Sequence, residues 1–358
     1  MRRLEEMDED WVAKTLIRLL KVYTPPGSES KLHKTLREVC SEIGFRECYV
    51  DDVGNFFASY GRGPTLLLAS HLDTVPGAVE AFYDEGEKVV RGRGAVDAKG
   101  PLLSYILGAS LAMEKADLKV VIGGLVREEL DGLGAKHLVE SGFKADYVLV
   151  GEPTGFGIAI AYRGSVTAEV RSTGRGGHSS APYIGDSALD RLLDFLYEFR
   201  SRFGGRSYGE ITSAITMLSS GDWPSKLPEN ARAYVNVRFP EPYSPDQILK
   251  ALREISEKHG VELRIIDETP PVEARIGTQL VRALMRGCIR NGIKPRMVKK
   301  TGTSDMNVLA RLTDNIAAFG PGDSKLAHTA FEKISPTDIL KAAKIISSMI
   351  IELSKQTA

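Results

Sequence analysis

The segment Thr65-Leu66-Leu67-Leu68-Ala69-Ser70-His71-Leu72-Asp73-Thr74-Val75-Pro76-Gly77 decides the fold. Its apolar start, Thr65 to Leu68, reads as a short buried strand. A histidine and a carboxylate, two residues apart, stand where that strand should end. In an open α/β sheet this is the carboxyl edge, where ligands and metals bind. His71 offers a neutral imidazole nitrogen to a divalent cation. Asp73 is placed to hold the other ring nitrogen and fix the tautomer. A lone His-x-Asp is more often an ordinary loop, so the neighbouring sequence has to decide.

Two further apolar runs repeat the arrangement. Leu118 to Val126 leads to Glu128-Glu129, and Tyr147 to Val150 leads to Glu152-Pro153. Helical stretches separate them. One opens in the glycine-rich segment Val89 to Pro101 and runs to about Lys115; another covers Gly134 to Glu140. Continuous apolar strands with helices between them indicate a parallel sheet covered on both faces. The expectation is an α/β domain with a largely parallel mixed sheet and acidic and imidazole groups along one edge. The glycine-rich segment is not a dinucleotide fingerprint, because Asp97 replaces the third glycine of G-x-G-x-x-G.

Upstream, Trp11, Leu16, Leu19, Leu20 and Tyr23 share one helical face, with Asp8 or Asp10 as cap and Pro25-Pro26-Gly27 as stop. Ser28 is expected to cap a second helix. Strands at Cys48 to Asp52 and Asn55 to Tyr60 follow. From Arg163 the pattern changes to strand (Ser165 to Ser172), helix (Asp186 to Phe203) and two strands (Ile211 to Leu218, Ala231 to Phe239). A helix (Pro245 to His259) and a strand (Val261 to Ile266) complete it. This β-α-β-β-α-β order is the split βαβ arrangement. It predicts an inserted α+β lid and dimerisation domain over 163–268. The catalytic domain then takes 1–162 and 269–358, with Thr269-Pro270-Pro271 as hinge. A helix from Thr278 to Arg290, a strand at Ile316 to Phe319 and a helix from Pro336 finish the chain.

Composition narrows the function classes. The chain has 358 residues, 42% hydrophobic and 26% charged, enough for two domains of roughly 150 residues. Lys plus Arg number 47 and Asp plus Glu 47, so the formal net charge is zero, without the basic footprint of a general nucleic-acid binder. Cys40, Cys48 and Cys288 are too scattered for a disulfide framework or a cysteine zinc site, and read as free thiols. No apolar stretch approaches the ~20 residues of a membrane span. Met1 to Glu6 lacks the apolar region of a signal peptide, so a cytoplasmic protein is expected. His33, His137 and His259 lie in helical contexts without partner patterns and read as structural. Gly205-Arg206-Ser207-Tyr208-Gly209 fits G-x-S-x-G literally. A nucleophile elbow needs a strand before the serine and a helix after it; here the order is reversed.

The remaining candidates assemble into motifs: SHLDTVPG from Ser70, GRGAVDAKGP from Gly92, EELDGLGA from Glu128, GEPT from Gly151, GRGGHSSAP from Gly174, TGTSD from Thr301 and GPGDSKLAH from Gly320. Together they resemble the M20 metallopeptidase and amidase family over nearly the whole chain. The resemblance implies that His71 and Glu152 hold one metal, Glu129 and His328 the other, and that Asp97 bridges both. It implies two divalent ions, zinc with cobalt able to substitute. Such a pair, ~3.5–4 Å apart, polarises a carbonyl and supplies a hydroxide at neutral pH. Asp73 would orient His71 and Glu128 would be the general base; spacing alone does not tell base from ligand in the Glu128-Glu129 pair. The resemblance further implies that His178 serves the site of a partner subunit in a homodimer. Arg163, Asn230, Arg238, Gly302 and Thr303 are implied to face substrate, and the Asp97–Ala98 peptide to be cis.

Within the family, Val150 to Gly155, Lys300 to Asn307 and Gly320 to Ser324 resemble one branch. Its members release lysine or ornithine from the γ-carboxyl of the C-terminal glutamate of an acidic amino-group carrier protein in lysine and arginine biosynthesis. A deacylase of N-acetylornithine, N-acetyllysine or succinyl-diaminopimelate is the alternative, followed by a dipeptidase or aminoacylase. A non-catalytic binding homologue would lack a ligand or the base, and none is lacking. Two basic clusters are candidates to steer an acidic carrier: Arg200, Arg202 and Arg206, and Lys294, Arg296, Lys299 and Lys300. For either cluster a solvated surface is the ordinary reading.

Overall fold

The computed structural model describes residues 7–357. Met1 to Glu6, read above for the absence of an apolar leader, lies outside the described residues. The chain divides into two compact units. The first takes the chain up to Ala161 with Ala274–Lys299 and Ser304 onward; the second takes Tyr162–Glu273 with Lys300–Thr303.

The first unit is built on a mixed sheet. Its strands run in the order Glu47–Val50, Phe56–Tyr60, Lys119–Leu125, Thr65–His71, Tyr147–Val150, Ile316–Ala318 and Ile158–Tyr162. The four from Lys119 to Ile316 in this order are mutually parallel, and their neighbours on either side are antiparallel. Register explains why they read as unbroken apolar runs. Leu66 pairs with Val120 and Tyr147, and Leu68 with Ile122 and Leu149. These residues form one core with the helices Glu9–Leu20, Lys99–Ala112, Gln279–Arg290 and the long Pro336–Thr357. The alternate residues Leu67, Val121 and Val148 are also buried, on the other face, where Asp305–Leu309 packs on the Tyr147–Val150 strand and on Leu133–Glu140. Both faces are therefore dry, as an all-apolar parallel strand requires.

Local chemistry sets the ends. Asp8 caps the first helix, accepting the Trp11 N–H at 2.9 Å. Ser28 makes no side-chain cap, contrary to expectation. The chain there enters a 3-10 turn, Glu29–Leu32, before the helix His33–Glu42, and buried Glu29 accepts the Arg127 N–H instead. The strand expected to reach Asp52 stops at Val50, because Asp51 accepts the N–H groups of Val53, Gly54 and Asn55 and closes a turn. A small sheet of Phe82–Asp84, Val89–Arg91 and Lys333–Ile334, and the strands Ile158–Tyr162 and Met297–Lys300, were not anticipated.

The second unit is a four-stranded antiparallel sheet in the order Thr212–Ser220, Asn230–Phe239, Gly164–Thr173, Glu262–Thr269. Val166, Ala168, Val170, Ala233, Val235 and Val237 bury one face under the helices Ala188–Arg202 and Pro245–His259. Ser244 and Gln247 form a capping box at the second of these. Gly205 to Gly209 follow a helix and precede a strand, and Ser207 donates to Glu210 at 2.8 Å, so the serine is a turn residue.

Candidate metal centre

The groups that end the apolar strands meet in the first unit. His71 closes its strand and is buried. Its Nδ1 lies 2.9 Å from the carbonyl oxygen of Asp73, which places the proton there and turns the lone pair of Nε2 outward. That Nε2 is 3.1 Å from Asp97 Oδ1. The other Asp97 oxygen is 3.3 Å from His328 Nε2, and the same nitrogen is 2.9 Å from Glu129 Oε1. Asp97 thus points one oxygen at each imidazole, the disposition of a bridging carboxylate. Ligand atoms of His71, Asp97 and Glu129 lie within 4.8 Å of one another. The Asp97–Ala98 peptide is cis.

Asp73 holds more than the imidazole. The imidazole's nearer contact is the Asp73 carbonyl, while Oδ1 stands 3.5 Å from Nδ1. The fully buried carboxylate accepts two backbone bonds, from Glu128 N–H at 3.1 Å and Glu129 N–H at 3.0 Å. One aspartate therefore fixes both the histidine and the carboxylate pair.

Glu128 retains some surface, but its carboxyl group faces protein. Burial holds its pKa well above the ordinary range; His71 opposes this, and Glu152, Asp305 and Glu129 add to it. Glu152 is buried just beyond the Tyr147–Val150 strand, near enough to act on Glu128, but it is not among the three residues whose ligand atoms cluster most tightly. Burial opposes a charged His71, yet bonds to Asp73 and Asp97 raise its pKa well above usual. Asp97, then Glu129, push His328 up to about 10.

Sequence reasoning missed three supports. Glu332 is wholly buried. It accepts the N–H of Gly94 and, at 3.1 Å, the N–H of His328, and it pairs with Arg93 at 3.1 Å. Arg93 also donates to Thr329 O at 3.0 Å and Gly77 O at 2.9 Å. This buried ion pair locks the His328 loop to the Asp97 loop, with His328 itself at φ 64°. Lys99, fully buried, donates to Val22 O at 2.7 Å and Leu19 O at 3.3 Å, closing the end of the first helix. Burial lowers its pKa to about 7, against Glu332 and Asp73. Asp305 is buried with Oδ2 unpartnered, and burial pushes it up to about 7, His71 opposing and Asp73 adding. The only sequence signal for these was membership in the quoted motifs (Arg93, Lys99, Asp305), and Glu332 had none.

The donor set fits divalent cations. Asp73, Asp97, Glu128 and Asp305 gather about buried His71, with Glu152 beside Glu128, and Asp97 and Glu129 meet the half-exposed His328. Buried carboxylates in such numbers are costly unless positive charge compensates them. The carboxylate and imidazole donors are those of catalytic zinc sites.

In the second unit, Arg163 is buried and its guanidinium donates to Thr212 Oγ1 at 3.0 Å and to the carbonyls of Arg238 (2.6 Å) and Glu210. These bonds hold the guanidinium against the start of the Thr212–Ser220 strand and the end of the Asn230–Phe239 strand. Arg238 donates to Asn236 Oδ1 at 3.0 Å and reaches Thr303 Oγ1 at 3.4 Å. Asn230 and Gly302 are exposed, and a Cβ at Gly302 would meet nothing. His178 is exposed on the short strand Gly177–His178, where its Nδ1 accepts the Ser180 N–H at 3.1 Å. The other histidines are structural: His33 bonds Gly54 O at 2.9 Å, His259 bonds Glu198 at 2.8 Å and His137 stands 3.9 Å from Asp51.

Comparison with known proteins agrees with this chemistry. The profile of "Peptidase family M20/M25/M40" matches residues 67–352. The chain is 42% identical over 344 residues, 95% of each chain, to a protein of Aeropyrum pernix named putative LysW-lysine/LysW-ornithine hydrolase. It is 34% identical over 99% of each chain to the LysW-lysine/LysW-ornithine hydrolase of Saccharolobus islandicus. Among solved structures, aminopeptidase PepT from Bacillus cereus superposes with a TM-score of 0.81 at 19% identity, covering 97% of this chain and 99% of that one.

Proposed function

Because the chain belongs to peptidase family M20/M25/M40, we propose that it is a metal-dependent amide hydrolase releasing lysine and/or ornithine from the carrier protein LysW. The observation that carries the substrate is the 42% identity spanning 95% of both this chain and the Aeropyrum relative. The scissile bond in this reading is the γ-glutamyl amide at the carrier's C-terminus, as the family resemblance implies.

We assign His71 and Glu152 to one cation, Glu129 and His328 to the other, and Asp97 to both. The nitrogen and oxygen donors suit zinc, with cobalt as a substitute. Cations held there supply Lewis acidity and acidify a water. Glu128 takes the proton of the attacking water and returns it to the leaving amine. Asp73 keeps that carboxylate in register by holding its backbone N–H. Asn230, Arg238, Gly302 and Thr303 are assigned to the polar end of the substrate.

A homodimer is part of the proposal, with His178 stabilising the oxyanion in the partner's site. Leu193, Tyr197, Met217 and Leu218 are exposed on the Ala188–Arg202 helix and the Thr212–Ser220 edge strand, an apolar surface a second copy would cover. No helix among the described residues is long and apolar enough to cross a membrane, and we place the enzyme in the cytoplasm.

The test is one assay panel: LysW carrying γ-glutamyl-lysine or -ornithine against N-acetylornithine, N-acetyllysine and succinyl-diaminopimelate. The carrier conjugates should be turned over with far higher kcat/KM. Equal turnover of a free acyl amino acid would overturn the substrate assignment.

A further inference from the structure

Cys40 and Cys48 are free thiols, but they are not isolated. Cys40 sits near the end of the His33–Glu42 helix and is fully buried. Cys48 is half-buried on the Glu47–Val50 edge strand, turned inward between exposed Glu47 and Tyr49. Cys48 opens on a surface recess of about 520 Å³ lined by Arg37, Ser41, Gly44, Phe45 and Arg46. Arg37 and Ser41, on either side of Cys40 in its helix, line the same recess as Cys48, so the helix turn that carries Cys40 packs beside the Cys48 strand. Arg37 donates to the Cys48 carbonyl at 2.8 Å, bringing its charge beside the thiol. One sulfur is therefore accessible and next to a cation, and the other is buried in the adjoining helix turn. Accessible, thiolate-prone cysteines beside a second thiol are the ones that oxidise reversibly.

We propose that Cys40 and Cys48 are an oxidant-responsive dithiol that closes to an intramolecular disulfide on exposure to hydrogen peroxide. The Cys48 thiolate attacks one peroxide oxygen; the O–O bond breaks, hydroxide leaves, and Cys48 becomes a sulfenic acid. The Cys40 sulfur then attacks the Cys48 sulfur. The S–O bond breaks, the S–S bond forms, and the Cys40 proton leaves with the departing hydroxide as water. In sum, two thiols and one peroxide give a disulfide and two waters. The hydrogen bond from Cys40, then the Arg37 charge, lowers the Cys48 thiol to about 7 against the effect of burial, while that same bond, then burial, holds the Cys40 proton on. Attacker and resolving thiol are thus distinguished. Cys288, buried in the Gln279–Arg290 helix and raised to about 11 by burial, is the internal control.

The experiment treats the native full-length protein with graded hydrogen peroxide, quenches, unfolds it and alkylates remaining thiols before non-reducing digestion and mass spectrometry. The expected result is a linked Cys40–Cys48 peptide, lighter by two hydrogens than its separate halves. Cys288 should stay alkylatable, and dithiothreitol should restore all three thiols. Cys40→Ser should stop Cys48 at a sulfenic acid trapped by dimedone, and Cys48→Ser should leave Cys40 reduced at the same dose. Over-oxidation of Cys48 with Cys40 still alkylatable in the wild type would overturn the proposal. So would oxidation of Cys288 in parallel with the pair, or of Cys40 in Cys48→Ser. The wild-type measurement stands even if a variant folds poorly.

Discussion

Glu332→Gln tests the lock between the two ligand-bearing loops. Three donors converge on this carboxylate: Arg93 and the His328 N–H on one oxygen, the Gly94 N–H on the other. Glutamine keeps the shape but offers one carbonyl oxygen, and its amide must face a donor. Breaking a buried ion pair from one side costs ~3–5 kcal/mol. Arg93 retains the Gly77 and Thr329 carbonyls, so the low end, ~3 kcal/mol, applies. At roughly 2 °C per kcal/mol for a chain this long, Tm in chelator should fall by about 6 °C. The His328 loop also loses its anchor, and removing such an outer support weakens metal binding ~10–100-fold. The Tm increase on adding zinc should then shrink by about 3–6 °C, since each tenfold is worth ~1.4 kcal/mol. Thermal scans of wild type and variant, with chelator and with zinc, read both quantities. A variant within about 2 °C of wild type in chelator, with an undiminished zinc-induced shift, would refute the role given to Glu332.

Chelation should abolish amide hydrolysis and zinc or cobalt should restore it. Affinity should fall in acid, because the cation must displace protons from His71 and His328, whose bonds to Asp97 favour the protonated form; equilibrium dialysis across pH measures this. Glu128→Gln should retain metal by elemental analysis and lose ~10²–10⁴-fold in kcat, whereas Glu129→Gln should lose metal first. Mixing inactive Glu128→Gln and His178→Ala chains should restore some activity in heterodimers; none, with subunit exchange confirmed, would count against a shared site. Glu352 joins two helices through Arg286 and, at 2.6 Å, Arg290, and the Arg286 bond leads in lowering its pKa. A lowered folded pKa stabilises above the unfolded value of about 4.3 and is lost as pH falls through the folded one. The stability gap between wild type and Glu352→Gln should therefore be full at neutral pH and close in acid, as denaturation at several pH values would record.

The parallel strands were legible because dry sheets leave unbroken apolar runs; His71, Glu129 and Glu152 stood out as polar residues ending those runs, whereas Asp97 and His328 end none and were named only through the family resemblance. The Pro245–His259 helix could be read to its ends, since a serine before it, proline at its first position and glycine after it are explicit boundary signals. Ser28 misled because cap chemistry is local while the burial of Glu29 is not. Glu332 was illegible for a related reason. Its significance lies in three partners, two of them more than 230 residues away, and a single glutamate in a loop carries no periodicity.

The span between Gly94 and Glu332, 238 residues, also orders events during synthesis. At ~5–20 residues per second, the Asp97 loop leaves the ribosome roughly 10–50 s before the segment that completes it. For most of that interval the nascent chain has His71, Asp97 and Glu129 but neither His328 nor the carboxylate that seats it. On the proposed ligand set, hydrolytic competence therefore arrives with the last tenth of the polypeptide, and a prematurely terminated chain is released without His328 and Glu332.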